Sequence, residues 1–408
     1  MHQEQKITDG IYWVGGSDRR LAKFENCFPV PAGVSYNSYL VLDQKTALLD
    51  TVDHAVSKIF FENTEYLLDG RKLDYLIINH MEPDHAASLS ELLLRYPEVT
   101  IVGNAKTFQI IRQFFDLQLQ GHLLEVKEGD TICLGKRTFS FIMAAMVHWP
   151  EVMVTYEAMD KILFSADAFG TFGALNGNIF ADEMNFETDL LSEARRYYAN
   201  IVGKYGIQVQ TLLNKAAGLD IEMLCPLHGP VWRIRKKIEW YIEKYSRWAT
   251  YRAEDNDVVI FYASIYGDTE NAAQLLAGML AEDKIRNIKM YDVSVTDVSF
   301  LVSEAFRANH LVFAAPTYNA GIFPAMENLL LDLSAHNLQN RTIALMENGS
   351  WAPVSGKKMR ELFSSMKNIS VLPESITIKS TLKEDQRADV RKLADAIASS
   401  VDRESMRR

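Results

Sequence analysis

The sequence predicts a two-domain α/β protein, and three observations support this prediction. The chain has 408 residues, more than one compact hydrophobic core usually organises. Its first part repeatedly places a short apolar run before a polar turn, which is typical of buried strands that end at a functional edge. Its last part alternates apolar runs with amphipathic segments, which is typical of a doubly wound parallel sheet. An apolar content of 48% is enough to bury both cores.

Composition and charge exclude several classes of function. The formal net charge of -10, without a dense Lys/Arg cluster, argues against a nucleic-acid-binding protein, because phosphates demand a positive surface. Residues 1–6 lack the apolar core of a signal peptide, and no segment reaches membrane-spanning length without charged residues. We therefore expect a cytoplasmic protein without a membrane anchor. Cys27, Cys133 and Cys225 are too scattered for a disulfide framework or a C-x-x-C metal centre.

The most informative segment places two imidazoles and two carboxylates within six positions. These residues are His80, Glu82, Asp84 and His85. They directly follow residues 73–78, an apolar run that we interpret as a buried strand. Pro83 biases the residue before it toward an extended conformation, so we expect the ligands to reach a common centre without an intervening helix. The pattern indicates a metal-binding loop, and a polar surface loop is the weaker alternative.

Further ligand-type residues follow three later apolar runs. His148 follows residues 139–147, Asp167 follows residues 161–166, and His228 follows residues 221–227. Taken singly, each has an ordinary explanation as a structural histidine or a turn residue. Together with the first loop, they offer the additional ligands that a site for two metals needs.

The order H-x-E-x-D-H, then histidine, aspartate and the histidine of Pro-Leu-His-Gly resembles the metallo-β-lactamase-like domain of flavodiiron proteins. This resemblance implies an N-terminal αββα sandwich. In the hydrolase branch of the superfamily the motif reads H-x-H-x-D-H and holds zinc, whereas here Glu82 replaces the second histidine. A carboxylate is a harder, charged ligand, and a mixed imidazole and carboxylate site suits redox-active iron. Redox chemistry is therefore favoured over hydrolysis.

The resemblance also implies how the ligands are divided between two irons. His80, Glu82 and His148 would bind one iron, Asp84, His85 and His228 would bind the other, and Asp167 would bridge them. Some members of the family leave the equivalent of His85 uncoordinated, and the sequence leaves this point open. Tyr197 and Tyr198 are candidates for a phenolic hydrogen bond to a bound substrate, with packing as the alternative role.

The predicted domains are residues 1–252, a metallo-β-lactamase-like diiron domain, and residues 253–408, a flavodoxin-like domain. The boundary lies at a polar stretch after a predicted helix at residues 240–248. Beyond it, the predicted strands are residues 258–263, 289–293, 310–315, 342–346 and 371–378. Five such units separated by amphipathic segments indicate a doubly wound parallel sheet.

Three loops at the carboxyl ends of these strands predict a ligand site. They contain Ser264, Ile265, Tyr266, Gly267, Asp268 and Thr269; Pro316, Thr317, Tyr318, Asn319 and Gly321; and Asn348, Gly349, Ser350 and Trp351. Open α/β sheets bind ligands at this edge, and the first loop opens a helix as a phosphate loop does. The region resembles flavodoxin, which implies FMN, with Tyr266 at a position where flavodoxins usually have a threonine.

Over nearly its full length the chain thus resembles the simplest flavodiiron proteins. The resemblance implies an oxidoreductase that reduces dioxygen to water and/or nitric oxide to nitrous oxide. It further implies a homodimer or dimer of dimers, in which the flavin of one chain serves the irons of another. Because no rubredoxin or flavin reductase module is expected, the electron donor would be a separate rubredoxin or a deazaflavin coenzyme.

Two alternatives remain open at this stage. One is a zinc hydrolase of the metallo-β-lactamase superfamily that carries a flavodoxin-like module. The other is a flavodoxin-type electron carrier whose front domain binds no metal.

Overall fold

The structure is a computed structural model that describes residues 1–407, with side chains to residue 405. The chain forms two compact units. The first contains Met1–Tyr198 and Tyr205–Ser246, and the second contains Ala199–Lys204 and the chain from Arg247 onward. The predicted boundary after residue 252 stays a prediction.

The first unit is built from sixteen strands and eight helices. Its strands are β1 (Gln5–Thr8), β2 (Ile11–Trp13), β3 (Gly16–Asp18), β4 (Lys23–Phe24), β5 (Phe28–Pro29), β6 (Val34–Tyr36), β7 (Tyr39–Leu42), β8 (Thr46–Leu49), β9 (Tyr75–Ile77), β10 (Thr100–Gly103), β11 (Leu123–Glu125), β12 (Thr131–Cys133), β13 (Thr138–Met143), β14 (Met153–Glu157), β15 (Ile162–Phe164) and β16 (Met223–Cys225). Its helices are α1 (Ser57–Leu68), α2 (Pro83–Ala86), α3 (Leu89–Arg95), α4 (Ala105–Phe114), α5 (Phe186–Asp189), α6 (Leu191–Tyr197), α7 (Gly206–Ala216) and α8 (Arg235–Ala249), whose last residues belong to the second unit.

Two large sheets form the centre of the first unit. One has seven strands in the order β1-β2-β7-β8-β9-β10-β11, and the other has five in the order β12-β13-β14-β15-β16. Side chains from both sheets, such as Leu49 and Val102 from one and Phe141 and Phe164 from the other, belong to a single buried cluster. Because successive side chains of a strand point to opposite faces, the remaining positions face outer helices. The result is the αββα sandwich expected from the sequence.

Short helical turns occur in several loops of the chain, and the segment Ala199–Lys204 of the second unit contributes to two of them. These are the 3₁₀ turns His54–Val56, Ala181–Glu183 and Gly203–Tyr205 and the π-helical turn Tyr198–Val202, which continues α6. Helix α4 begins with a side-chain cap. The side chain of Asn104 accepts hydrogen bonds from the backbone of Lys106 and Thr107, and Thr107 completes the capping box. Such caps satisfy backbone N–H groups that the helix itself cannot pair.

The second unit contains the remaining elements. They are β17 (Asp255–Tyr262), α9 (Asp268–Glu282), β18 (Lys289–Asp292), α10 (Val298–Arg307), β19 (Ala308–Tyr318), β20 (Gly321–Ile322), α11 (Pro324–Ala335), β21 (Arg341–Asn348), α12 (Ser355–Ser364), β22 (Ile369–Ile378), a 3₁₀ turn (Glu384–Gln386) and α13 (Arg387–Arg407). The main sheet runs β18-β17-β19-β21-β22, all parallel, which is the flavodoxin order 2-1-3-4-5. The predicted doubly wound sheet is confirmed, and its strands overlap the five predicted segments.

One local expectation about the first ligand loop is wrong. Residues 79–85 do not stay extended, because Pro83–Ala86 forms a single helical turn. Glu82 is extended just before that turn, as expected for a residue before proline. Proline has a backbone angle suited to the first helical position and lacks the N–H that would be unpaired there, so Pro83 starts the turn. Asp84 and His85 therefore project from a helix, whereas His80 and Glu82 project from extended backbone.

No helix among residues 1–407 combines the length and the apolar character that crossing a bilayer requires.

Candidate metal centre and flavin site

The first ligand loop is held between the two sheets by Asp50 and Asn79. Asp50, at the end of β8, accepts hydrogen bonds from the backbone N–H groups of Asn79 and His80 and from the Asn79 side chain. The side-chain oxygen of Asn79 in turn accepts from Thr155 on β14, at 2.7 Å. Both sheets therefore fix the position of the loop. Asp50 was missed in the sequence analysis, although it too is a carboxylate directly after an apolar run.

The seven candidate ligands lie in two adjoining groups. The first group contains His80, Glu82, His148 and Asp167, and the second contains Asp84, His85 and His228. Within each group the possible ligand atoms lie within 4.8 Å of one another. All seven residues are buried, with at most 9% of any of them exposed. The structure thus brings together every metal-ligand candidate taken from the sequence, although they come from four separate segments of the chain.

The carboxylate of Asp167 points one oxygen at each group. Its Oδ2 lies 3.5 Å from Nε2 of His80 and 3.4 Å from Nε2 of His148. Its Oδ1 lies 3.1 Å from Nε2 of His85 and 3.7 Å from Nε2 of His228. Ligand atoms that each lie about 2.1 Å from one ion are roughly 3 Å apart when they subtend a right angle at it. This geometry suits a carboxylate that bridges two ions.

Two imidazoles turn Nε2 toward the centre of the cluster and Nδ1 toward an outer hydrogen-bond acceptor. His80 places Nδ1 at 2.8 Å from Oε1 of Glu151, and His228 places Nδ1 at 2.7 Å from the carbonyl of Ser35. Because both partners are acceptors, each Nδ1 donates its proton and each Nε2 is left with a lone pair. Fixing the tautomer of a histidine through its outer nitrogen is how proteins prepare imidazole as a metal ligand.

The inward atoms of the cluster fit a cation. Nε2 of His80 lies 3.1 Å from Oε2 of Glu82. When Nδ1 of the neutral His80 ring donates to Glu151, both Nε2 and Oε2 present lone pairs to each other and no proton lies between them. In the described part of the chain, neither oxygen of Asp84 nor Oδ1 of Asp167 has a hydrogen-bond partner. Buried carboxylates without partners are costly, and a positive ion between them removes that cost. The donor set of imidazole and carboxylate is one that iron accepts.

His85 lies with the second group. Its Nε2 is 3.1 Å from Nε2 of His228 and 3.3 Å from Oδ2 of Asp84, so it faces the same point as the other ligands. Its Nδ1 has no hydrogen-bond partner among the described residues. His85 therefore lies among the candidate ligands, but no hydrogen bond fixes its tautomer as those of His80 and His228 are fixed.

The carboxylates strongly perturb the protonation of the cluster. Burial opposes protonation of His148, but Asp167 and Glu82 outweigh it and raise the pKa of His148 to about 9. Burial opposes ionisation of Asp167, but the imidazoles of His85 and His80 hold the pKa of Asp167 well below its ordinary value. Without a metal, protons would bind to imidazoles of this cluster to compensate its negative charge. A metal ion takes the place of those protons.

Glu25 is a second residue that the sequence analysis missed. It lies in the turn between β4 and β5 with a positive φ of 50°. The Glu25 residue as a whole is exposed, but partial desolvation of its carboxyl and repulsion from the nearby carboxylate of Glu82 raise the pKa of Glu25 to about 8. Nothing in the local sequence of this turn, Phe-Glu-Asn-Cys-Phe, resembles a ligand motif. Glu25 comes close to the cluster only because the short β4–β5 hairpin folds over it.

The turn that carries His228 requires a glycine. Gly229 has φ of +80°, and a Cβ placed there would lie 2.3 Å from Cγ2 of Thr171. The backbone N–H of Gly229 donates to the hydroxyl of Ser35, the same residue whose carbonyl accepts from His228. Any side chain at position 229 would displace this turn and with it the imidazole of His228.

The two candidate tyrosines have different environments. Tyr197 is fully buried, and its ring lies 5.4 Å from the ring of His228. Its hydroxyl has no hydrogen-bond partner within residues 1–407, and burial followed by the charge of Asp167 raises the pKa of Tyr197 well above its ordinary value. Tyr198 is equally buried but packs edge-on against Tyr245, with ring centroids 4.8 Å apart. Tyr197 is therefore the tyrosine whose surroundings include the cluster.

A pocket of about 450 Å³ lies at the carboxyl edge of the second unit's sheet. Twelve of the residues predicted for FMN line it: Ser264, Ile265, Tyr266, Asp268, Thr269, Pro316, Thr317, Asn319, Asn348, Gly349, Ser350 and Trp351. Gly267, Tyr318 and Gly321 belong to the same loops but do not line it. The structure adds Ala320, Ala352, Val354 and Ser380. Ser380 follows the fifth strand, so the rule that selected the other loops could also have identified it.

The loops of this pocket are tied to one another. The side chain of Asn348 donates to Thr269 Oγ1 and to the carbonyl of Ser380, and its oxygen accepts from the Ser380 N–H. The hydroxyl of Thr317 instead accepts from backbone N–H groups at the start of α12. Asn348 therefore connects the first, fourth and fifth strand ends of the sheet.

The shape and chemistry of the pocket fit FMN. Gly267 is the residue before α9, has φ of +95° and provides no side-chain cap, so first-turn N–H groups of α9 are open to an anion. Tyr266 and Trp351 are each 92% exposed. Large aromatic side chains left exposed at a pocket mark a surface that a planar ligand or a partner covers. Acidic Asp268 and Glu270 in the first turn of α9 depart from an ideal phosphate site.

The fold and the two sites define a class of protein. It is a two-unit α/β protein with a buried imidazole and carboxylate cluster in one unit and a flavodoxin-type ligand edge in the other. Comparisons with known proteins agree with this definition. Residues 34–229 match the ODP family beta lactamase model, and residues 260–388 match the flavodoxin model.

Similar proteins extend the match over nearly the whole chain. The anaerobic nitric oxide reductase flavorubredoxin of Shigella flexneri is 30% identical over 387 residues, 94% of this chain and 79% of that protein. The structure of rubredoxin oxygen:oxidoreductase from Desulfovibrio gigas is 30% identical with a TM-score of 0.91, covering 98% of this chain and 99% of that one. The flavodiiron protein of Giardia intestinalis shares the fold at 24% identity, with a TM-score of 0.91 and 98% of each chain covered.

The chain belongs to the flavodiiron protein family. It is an oxidoreductase of the flavodiiron type, which confirms the class of enzyme expected from the sequence. The cofactors of this family are FMN, which the flavodoxin domain implies, and a diiron centre, which the imidazole and carboxylate cluster fits.

Proposed function

We propose that this enzyme reduces dioxygen to water and/or nitric oxide to nitrous oxide. The observation that carries the proposal is the buried cluster, in which Asp167 faces two groups of ligands with one oxygen each. The diiron centre and FMN together supply up to four electrons, enough to take dioxygen to water without releasing peroxide. Coupling two nitric oxide molecules takes only two electrons, so the same site serves either gas.

We also propose a division of the ligands between two irons, which the geometry of the cluster supports. His80, Glu82 and His148 would hold one iron, Asp84, His85 and His228 would hold the other, and Asp167 would bridge them. Glu151 and Ser35 accept the Nδ1 protons of His80 and His228, so that Nε2 of each neutral ring is the nitrogen that would bind iron. The burial of all these ligands excludes bulk water and strengthens the electrostatic interactions within the centre.

Tyr197 is the residue that we propose donates a hydrogen bond to the bound gas. Its raised pKa keeps the phenol protonated at neutral pH, and its hydroxyl lacks another partner in the described chain. For Tyr197→Phe we expect turnover to fall by about tenfold, the lower part of the range for a lost hydrogen bond to a charged group. Tyr198→Phe removes a similar hydroxyl and serves as the matched control. Oxygen and nitric oxide consumption are measured for both variants, and unchanged rates for Tyr197→Phe would refute the role.

The experiment that tests the function is anaerobic stopped-flow of the fully reduced protein. Reduced enzyme is mixed with oxygen or with nitric oxide, flavin absorbance is followed, and iron and FMN are quantified in the same preparation. We expect rapid flavin oxidation by at least one gas, with two irons per chain. Zinc in protein produced with ample iron would favour the hydrolase alternative. FMN without any metal would favour the electron carrier.

We further propose a homodimer or a dimer of dimers in the cytoplasm, with domains at residues 1–252 and 253–408. The electron donor would be a rubredoxin or a deazaflavin coenzyme. The exposed Tyr266 and Trp351 support the dimer, since a partner subunit could cover these aromatic rings. Mixing a metal-deficient Asp167→Ala chain with an FMN-deficient chain tests the arrangement. Activity regained on mixing supports a flavin that serves the other subunit, and no recovery in a proven mixed dimer contradicts it.

A further inference from the structure

The first unit contains a small apolar cavity that its proposed chemistry does not yet use. The cavity has a volume of about 110 Å³ and lies between the outer face of the five-stranded sheet and the helices α7 and α8. Leu163 and Leu224 line it from the sheet, and Leu213 and Ile238 line it from the helices. On β15 the neighbours of Leu163 belong to the central core, so strand alternation directs Leu163 outward.

The cavity offers almost nothing that water could bind. Among the residues that line it, Ser165 alone has a polar side chain. Its hydroxyl donates to the carbonyl of Ala168 at 2.8 Å, so its proton is already used. A buried water needs two to four polar partners, and cavities of this kind lined by aliphatic and aromatic groups stay dry and accept xenon or benzene.

One wall of the cavity is formed by the segment that carries Asp167. Ser165 and Phe169 both line it, and each is two residues from Asp167, the carboxylate that faces both ligand groups. Phe169 has a positive φ of 68°, and its ring packs on Tyr245 with centroids 4.4 Å apart. The same short segment therefore forms a wall of the cavity and carries a central residue of the cluster.

The outer end of the cavity lies near solvent. Ala216, the last residue of α7, is half-buried, and Ala217 after it is exposed, and both line the cavity. The cavity is thus lined at the end of α7 by two small side chains that solvent reaches. The cavity thus extends from the surface at α7 to the segment that carries Asp167.

We propose that this cavity binds small apolar gas molecules and supplies the diatomic substrate to the cluster. The inference rests on the proposed function, because only a gas substrate gives such a site a role in turnover. Dioxygen and nitric oxide are small and nearly apolar, so their transfer from water into an apolar cavity lowers the free energy. Water itself does not enter such a cavity. The cavity raises the concentration of gas next to Asp167 and excludes polar molecules.

Xenon tests the site without any turnover. Crystals of the complete enzyme are pressurised with xenon, and anomalous scattering is searched at the cavity. We expect one xenon site between Leu163, Leu213 and Ile238. Absence of xenon there in the wild-type protein would overturn the proposal, even if the enzyme reduced both gases normally. Xenon binding in a protein that consumed neither gas would instead contradict the proposed function.

Filling the cavity tests its role in catalysis. Ala216→Leu extends a side chain into it, and leucine is nearly as good a helix former as alanine. Asn214→Leu, at an exposed neighbouring position on α7 that does not line the cavity, adds apolar bulk elsewhere and is the matched control. Leu213→Ala enlarges the cavity and provides a second variant if Ala216→Leu folds poorly.

We expect Ala216→Leu to lose the xenon site and to raise KM for the gas by about fourfold. This factor is the equilibrium ratio between cavity and water that the transfer free energy of one methylene-sized apolar group gives. Its kcat at saturating gas, iron content and FMN content should stay at wild-type values, as should all parameters of Asn214→Leu. Leu213→Ala should retain or strengthen xenon binding. An unchanged KM in a variant that has lost the xenon site would show that substrate does not pass through the cavity.

Discussion

The metal cluster and the flavin pocket differ in their exposure to solvent and in how firmly their side chains are held. The seven residues of the cluster are at most 9% exposed, and partners such as Glu151, Asp50 and Ser35 fix the ligands or their loop. The flavin pocket is open, and two of its largest side chains, Tyr266 and Trp351, are 92% exposed. The ligands of the metal cluster all come from one unit and are buried there. The flavin pocket instead exposes aromatic surface that a planar ligand or a partner can cover.

The difference follows from what each site must bind. A metal ion pair needs charged ligands held at fixed distances in a medium of low dielectric constant, so its ligands must be buried and supported from outside. A flavin brings its own large apolar surface and needs an accessible edge to receive electrons. Substitutions at the cluster should therefore abolish metal binding, and substitutions at the pocket should weaken flavin binding by degrees.

The largest effect is expected from Asp167→Ala. Removing the carboxylate that faces both groups should reduce bound iron to near zero and lower turnover by at least about a hundredfold, beyond the usual cost of losing a residue that only supports a ligand. FMN content should stay unchanged, because the flavin pocket lies in the other unit. Iron analysis and gas consumption give the readouts. Asp189→Ala, an exposed aspartate on α5, is the control. Full iron occupancy in Asp167→Ala would refute the bridging assignment.

A smaller effect is expected from Glu151→Gln. This change weakens the acceptor for the His80 Nδ1 proton without touching any ligand atom. Iron affinity should fall by about 10–100-fold, the range found for residues that orient metal-binding histidines. The measurement is iron retention against a competing chelator. Glu98→Gln, in an exposed pair with Lys72, should retain iron as the wild type does. Equal retention in both variants would show that Glu151 does not support the site.

The smallest effect is expected from Trp351→Ala. Loss of one stacking ring should weaken FMN binding by about tenfold, and iron content should not change. Because Trp351 is 92% exposed, the free energy of unfolding of the apoprotein should also stay the same. Fluorescence titration of apoprotein with FMN measures the affinity. Val295→Ala, 82% exposed in the same unit but outside the pocket, is the control. A loss of iron in Trp351→Ala would show that the flavin pocket and the metal cluster do not bind their cofactors independently.

Much of the fold was predictable because its strands are short apolar runs and its functional residues follow them directly. That rule identified His148, Asp167 and His228 as well as the loops that end β17, β19 and β21. It would also have identified Asp50 and Ser380, had it been applied to every strand end. It could not find Glu25, which lies in a hairpin turn without an apolar strand of useful length before it. The separate expectation of an extended ligand loop failed at Pro83, because the preference of proline for the first position of a helix decided the conformation.

The sequence by itself determined which chemical groups this protein can offer a metal and a flavin, and in which order along the chain. The tertiary structure decided where these groups point. His228 is oriented by Ser35, 193 residues earlier, and His80 by Glu151, 71 residues later. The opposed oxygens of Asp167 and the inward position of His85 likewise depend on packing between segments far apart in the chain. Local patterns record the identity and spacing of residues, but such orientations arise only when distant segments fold together.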